Sequence, residues 1–373
     1  MQSEKDFLKE FEEHFEDIQD PRQRSKVAHP LIEILFLAIA AVAGQARGWA
    51  DIELFGNLQL SALRQYYAFS SGIPSKHTIR RVFEVIDPKQ MSALLLKYFG
   101  KNLSVEHYAI DGKGLNGSRY EDVRALHFLN IYAVNSGLTI YGKALDKKQN
   151  EISVIPEVLD LLELEGCMVT MDAMGCQKSN AAQIIEKKAD YILGLKKNHI
   201  ALQSEVERAF QSDASEFFMM DIAQTHEKGH GRIETRKCRV IRDMSKINGS
   251  NKWPGLQSVI EVYRHTIEKG KASESINYYI SSSLESAEAM LKTIRAHWKV
   301  ESMHWSLDVS FNEDASGIHK DHAPSNIANV RRFALNILNK MKGKNQSKPQ
   351  LMKAIGWSQE YLHKFVNALK DYS

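Results

Sequence analysis

The chain has 373 residues, 43% hydrophobic and 25% charged, which suits a folded protein of two to three domains at roughly 150 residues each. That composition excludes a disordered, collagenous or coiled-coil chain. Forty-nine basic residues against 46 acidic ones leave a net charge of +3, so a nucleic-acid partner must be read from local patches.

Residues 1 to about 100 read as helical. Phe7, Leu8, Phe11 and Phe15 recur at helical spacing, and Pro21 stops the segment. Leu31 to Ala43 is apolar except at Glu33, as expected of a buried helix with Gly44 as its C-cap, and it is too short to span a bilayer. The segment GIPSKHTIRRVFEVIDP has Ser75 as a candidate N-cap, Pro88 past its end, and Lys76, His77, Arg80 and Arg81 on its exposed face. A short basic helix of this kind suits either a DNA reader or a solvated surface.

From about residue 105 the pattern changes to strands: HYAID, ALHFLNIYAV and LTIYGKAL follow one another. A helix (ISVIPEVLDLLE), a strand (CMVTMDA), a helix near Ser179–Lys188 and a strand (DYILGLK) come next. The order β-β-β-α-β-α-β predicts a mixed α/β sheet with helical cover. Residues 218–282 read as a β-rich insertion before a final helical stretch. Cys167, Cys176 and Cys238 form no CxxC pair, which argues against a disulfide scaffold or zinc ribbon and fits a reducing cytoplasm. The acidic, amphipathic N-terminus is unlike a secretion signal, so a soluble intracellular protein is expected.

Several acids stand where chemistry is possible. Asp111 and Asp172 each end an apolar strand, where a turn-initiating Asp is the ordinary explanation. On adjacent strands, however, two such carboxylates would repel and call for a hard divalent cation, Mg2+ or Mn2+. Residues 112–117 match GxGxxG, but a loop and a strand follow where a dinucleotide site needs a helix, and no acid stands near position 137. In SAEAMLKTIRAHWKVESMHWSLDV, Leu291, Ile294, Trp298 and Trp305 predict one apolar stripe with Glu301 inside it, flanked by His297 and His304. A buried glutamate must be paired or coordinated; a di-iron site would need a second Glu-x-x-His helix, which the chain lacks. In GHGRIETR, His230, Arg232, Glu234 and Arg236 share a strand face that suits phosphate contacts or a solvated edge. Between Lys320 and Lys353 eight basic residues face one acid, Asp321, either as a solvated surface or as a DNA footprint.

These stretches also resemble a family. DPRQRSKVAHPLIEILFLAIAAVAG, GWADIELFG, GIPSKHTIRRVF, AIDGK, QNEISVIPEVLDLL, TMDAMGCQ, ADYILGLKKN, EKGHGRIETR, RAHWKVESMHWSLDVSFNEDAS and NVRRFALNIL are similar, in order, to the H-repeat-associated, ISAs-type bacterial insertion-sequence transposases. The resemblance implies a ribonuclease H-like core with helices on both faces of its mixed sheet and an all-helical N-terminal domain. It implies a DDE triad of Asp111, Asp172 and Glu301 holding one or two Mg2+ ions. The expected domains are 1–100 for binding DNA ends, 101–345 for catalysis with its β-rich insertion, and a helical tail at 346–373. Departures from the family pattern are Gly114 and Asn116 after the first acid and Lys196-Lys197-Asn198-His199 after the fifth strand; His297 and Asp308 stand where related DDE transposases have the Arg and Lys of a Tyr-Arg-Glu-Lys signature, as is typical of this subgroup.

The expected function is DNA strand cleavage at the element's terminal inverted repeats and transfer into target DNA, in a homodimeric synaptic complex within the bacterial cytoplasm and nucleoid. Lys113, His230, Arg232, Arg236, His297, Arg80 and Arg81 are the expected DNA-backbone residues. The rival readings are a transposase-derived DNA-binding protein and a ribonuclease H-like nuclease that cuts without joining. Each would share this fold.

Overall fold

A computed structural model describes residues 9, 11–101, 103, 105–120, 124–145, 149–211, 219–229, 231–343 and 346–370. Phe7, Leu8, His230 and Lys344 lie outside these. The chain forms two compact units that do not follow chain order: Met1–Leu103, Gly112–Asp146 and Ser302–Ser373 make the first, and Ser104–Asp111 with Lys147–Glu301 the second.

The first unit opens with helices α1 (Leu31–Ala43), α2 (Trp49–Leu63), α3 (Lys76–Val85) and α4 (Pro88–Phe99). The polar residue in apolar α1 is satisfied: Glu33 Oε1 accepts the Phe69 N–H at 2.8 Å. Ser75 caps α3 by accepting the Thr78 N–H. Pro88 stops nothing by itself; it is the first residue of α4, where its missing N–H is harmless. Strand β1 (His107–Leu115) passes from the second unit into this one, where the antiparallel hairpin of β2 (Leu126–Ala133) and β3 (Leu138–Leu145) gives the order β3-β2-β1.

The second unit contains α5 (Glu151–Asp160), β4 (Met168–Met171), α6 (Lys178–Glu186), β5 (Asp190–Leu195), α7 (Ile200–Gln211), β6 (Met220–Gly229), β7 (Arg232–Ile241), β8 (Ser258–Glu268), β9 (Lys271–Ser281) and α8 (Ala287–His297). Its part of the mixed sheet runs β1-β4-β5-β9-β8-β7-β6, with β1, β4 and β5 parallel and the rest antiparallel. The β-rich insertion is therefore no separate layer, because β9 pairs directly with β5 from Ile192↔Ser281 to Leu195↔Tyr278. One side of this sheet is closed by α8, whose Ala287, Met290, Leu291 and Ile294 pack on Ile192, Cys238, Val240, Ile260 and Val262. The spacing of those four helical residues is that of a single apolar stripe.

Helix α9 (Lys299–Phe311) begins in the second unit and enters the first at Ser302, followed by α10 (Ala323–Met341), α11 (Lys348–Trp357) and α12 (Gln359–Leu369). The buried α10 carries Phe333 among the rings of Phe15, Tyr98 and Phe99. Among the described residues no helix is long and apolar enough to cross a membrane.

The single continuous stripe expected across residues 291–305 does not form. The chain breaks between α8 and α9 at Trp298, and the buried apolar residues of α9 are Val300, Met303, Leu307 and Phe311. The stripe has moved two positions, roughly 200° at about 100° per residue, so the two faces exchange. Trp298 and Trp305, expected inside, are 49% and 63% exposed.

Candidate active site

The sequence predicts a turn directly after Asp111. Instead β1 runs four residues further, to Leu115, and what ends at Ile110 is its pairing with β4. Ile110 lies opposite Met171, so Asp111 and Asp172 are the next residues on two parallel neighbours about 4.8 Å apart. Alternation puts His107, Ala109 and Asp111 on one face of β1, and Met168, Thr170 and Asp172 on one face of β4. Thr170 Oγ1 is 2.8 Å from His297 Nδ1 at the end of α8, so both acids leave the sheet on the side that α8 covers.

The turn after Asp172 is tightly made. Asp172 Oδ1 accepts the N–H groups of Met174 at 2.8 Å and Gly175 at 3.3 Å. Asn198 Nδ2 donates to Ala173 O at 2.7 Å, and a His199 ring nitrogen lies 2.6 Å from Cys176 O. On β5, a Cβ at Gly194 would stand 3.2 Å from Ala173 N, so glycine lets that strand run close beside the turn. Sequence reasoning missed Asn198 and His199 as braces. Their contacts reach across about 25 residues, and no spacing rule signals such a reach.

Glu301 lies four residues past His297, beyond the break and in the first turn of α9, and is exposed rather than inside a buried stripe. Partial burial still raises its carboxyl above the usual glutamate range. Among the described residues neither Asp172 nor Glu301 pairs with a lysine or arginine. No three His, Cys, Asp or Glu side chains among the described residues lie close enough to hold a metal as they stand. The donors nonetheless suit a hard divalent cation, being carboxylates only, two of them at neighbouring strand positions.

Lys113 is buried and held internally within the first unit. Its Nζ lies 2.7 Å from Asp308, 2.8 Å from Asp314 and 4.0 Å from Glu313. Burial pulls the ammonium down, but the hydrogen bonds it donates to Asp308 and Asp314 outweigh it and hold its pKa above the ordinary lysine value. Asp308 is raised by burial in spite of Lys113. Glu313 is bound in turn by Arg332 at 2.9 Å and Arg331 at 3.8 Å, both buried. Arg332 also donates to Asn130 Oδ1 at 2.6 Å, and Asn130 Nδ2 is 3.1 Å from His304 Nε2. The basic tract from Lys320 to Lys353 is thus no single surface, since Arg331 and Arg332 sit inside.

Elsewhere the expected basic residues differ in access. On α3, Lys76, His77, Arg80 and Arg81 are exposed, with Arg80 Nε 3.3 Å from Glu84. On β7, Arg232 is exposed, whereas Arg236 is largely covered and held by Glu234 and, at 3.4 Å, Glu227. Glu234 is buried between Arg232, Arg236 and Arg264, and Arg295 of α8 reaches Glu227 at 2.6 Å. The strand face is therefore a charge lattice, not a bare row of cations.

The mixed sheet carries Asp111 and Asp172 where the parallel strands β1 and β4 stop pairing. The "Transposase DDE domain" family pattern matches residues 104–337 and a "DDE_Tnp_1-associated" pattern matches residues 12–99, so the chain belongs to the DDE transposase family. "Putative transposase YncI" of Escherichia coli O157:H7 is 37% identical over 332 residues, 86% of this chain and 85% of that protein. "H repeat-associated putative transposase YhhI" of Escherichia coli K12 is 36% identical over 343 residues, 89% of this chain and 90% of that protein. A cryo-EM structure of a piggyBac transposase synaptic complex with hairpin DNA aligns at TM-score 0.46 and 12% identity, covering 94% of this chain and 79% of that one.

Proposed function

We propose that the chain is a divalent-metal-dependent DNA transposase that cleaves the ends of its insertion sequence and joins them to target DNA, with Asp111, Asp172 and Glu301 as metal ligands. The observation that carries this reading is the placement of Asp111 and Asp172 at neighbouring positions of parallel strands, on the face covered by the helix that leads to Glu301. Bound there, Mg2+ or Mn2+ supplies Lewis-acid stabilisation to the oxygens of an in-line displacement at phosphorus.

The chain's own part is binding and orientation. Met174 and Gly175 N–H groups fix one oxygen of Asp172, and Asn198 and His199 hold the turn that follows. Arg232 and the exposed face of α3, with Lys76, His77, Arg80 and Arg81, engage DNA phosphates. Residues 1–100 recognise the terminal inverted repeats, residues 101–345 carry out the chemistry, and 346–373 form the tail. In this reading Lys113 and His297 serve internal contacts. Water opens one phosphodiester at each end, and the released 3′-OH attacks a phosphodiester of the target. Two ends are handled together, so the working form is a homodimer in a synaptic complex.

The test is incubation of the full chain with Mg2+ and a supercoiled plasmid carrying the element's terminal repeats. Nicked and then joined products are expected, and none with EDTA, Asp111→Asn, Asp172→Asn or Glu301→Gln. Cleavage without joining would make the chain a nuclease. Binding without cleavage would make it a DNA-binding derivative.

A further inference from the structure

A buried hydroxyl ties the two strands that carry Asp111 and Asp172 to the end of the helix that precedes Glu301. Thr170 Oγ1 of β4 lies 2.8 Å from His107 Nε2 of β1 and 2.8 Å from His297 Nδ1, the last residue of α8. Thr170 and His107 are buried and His297 is half-buried. Burial lowers the His107 imidazole to about 3 and the His297 imidazole to about 4, so both rings are neutral at neutral pH. A hydroxyl has one proton to give and two lone pairs, so between two neutral rings it donates to one and accepts from the other. The bridge is fully satisfied and directional.

Its members are placed in step with the acids. His107 precedes Asp111 by four residues along β1, and Thr170 precedes Asp172 by two along β4. Even steps along a strand keep one face, so each pair shares a side of the sheet. His297 precedes Glu301 by four residues, across the break at Trp298. Each acid thus has one member of the bridge next to it on its own stretch of chain.

We propose that Thr170 is a positioning residue: through His107 and His297 it fixes the end of α8, and with it Glu301, to the strand pair bearing Asp111 and Asp172, and so sets the carboxylate spacing for a divalent cation. This rests on the metal-ligand reading given above. The hydroxyl touches no reacting atom. It acts on the metal site as outer partners of ligands do, where loss typically costs about 10–100-fold in metal affinity or activity.

The test uses the full chain, Thr170→Val (near-equal volume, no hydroxyl) and Thr170→Ser (hydroxyl kept). Mn2+ alone is the probe, its binding read by electron paramagnetic resonance, and Mg2+-dependent cleavage is measured alongside. Thr170→Val should weaken Mn2+ binding and slow cleavage by about 10–100-fold, with affinity for end DNA unchanged. Thr170→Ser should restore most of both. A Thr170→Val protein that binds Mn2+ as wild type does, or a Thr170→Ser protein no better than Thr170→Val, overturns the proposal. If Thr170→Val does not fold, His297→Phe at the half-buried end of the bridge takes its place with the same expected loss. Asp172→Asn is the control for the underlying reading: if wild type binds no Mn2+, or Asp172→Asn binds it normally, the triad itself is wrong. Wild-type binding that Asp172→Asn abolishes and Thr170→Val leaves intact sinks only the role of Thr170.

Discussion

The acids around Lys113 and the acids Asp172 and Glu301 differ in the counter-charges that the fold brings to them. Around Lys113, the acids Asp308, Glu313 and Asp314 are matched within the fold by three cations, Lys113, Arg331 and Arg332. By contrast, Asp172 and Glu301 meet no lysine or arginine among the described residues. Acids that bring their own counter-charges hold structure. Under the proposed reading, Asp172 and Glu301 take their counter-charge from a divalent cation. The contrast also separates Glu301 from Asp308, which sequence proximity cannot do, because Asp308 already has its ammonium.

The largest effects should break this contrast if it is false. Asp172→Asn should take Mg2+-dependent cleavage to background while leaving the urea unfolding midpoint nearly unchanged. A large loss of stability instead would place Asp172 with the structural acids. Glu301→Gln should likewise abolish cleavage, whereas Asp308→Asn retains measurable activity; the reverse ranking in one side-by-side assay moves the third ligand. Glu313→Gln should do the opposite of Asp172→Asn. It leaves Arg332 buried beside a neutral partner and should cost about 3–5 kcal/mol of unfolding free energy, as breaking a buried pair does. A change below about 1 kcal/mol, the scale of an exposed pair, would mean that the network is as weak as a surface ion pair.

A smaller effect sharpens the account of the histidine bridge. The His107 pKa is lowered by burial from 6.5 to about 3, with the charges of His297 and Lys299 adding to the shift. The unfolded chain therefore takes up a proton that the folded chain refuses between those values. Stability is complete above about pH 6.5 and falls on acidification, by up to about 1.4 kcal/mol per pH unit from this group. Chemical denaturation at pH 7.5 and pH 5.5 reads the slope, and His107→Gln should flatten it; an equal slope in the variant assigns it elsewhere. The smallest effect concerns DNA. Arg232→Gln should reduce the salt dependence of binding by about 0.9 in log–log slope, one phosphate contact, and Arg236→Gln should leave it unchanged because Glu234 and Glu227 already hold that side chain. Equal slopes for both variants would mean that the lattice opens on DNA.

Much of this was legible in the sequence, for a physical reason. The strands that carry Asp111 and Asp172 were legible because runs of β-branched and aromatic residues are a local signal, although β1 goes on four residues past Asp111, to Leu115. The basic face of α3 with its Ser75 cap is legible on the same ground. The helix break at Trp298 was not, because an ideal 3.6-residue period runs through 291–305 and tertiary packing, not propensity, interrupts it. Glu301 is therefore not inside a buried stripe, and its proposed role rests on its place four residues beyond His297. The pairing of Lys113 with Asp308 and Asp314 spans about 200 residues, and pattern rules carry no information at that range.

The glycine-rich string at 112–117 looks like a nucleotide fingerprint and folds as the end of β1 and a tight turn. At Gly117 a Cβ would fall 2.4 Å from Ser316 O, 2.7 Å from Ser316 N and 2.8 Å from Asp314 O, whereas at Gly114 the nearest atom is 3.8 Å away. Within one short motif, then, one glycine is a contact surface and another is a vacancy that a methyl group could fill. A substitution scan across the motif would read out that asymmetry as a near-absolute requirement at 117 beside tolerance at 114. Identical letters in a string are held there by unequal pressures, and what holds Gly117 is backbone that arrives from two hundred residues downstream.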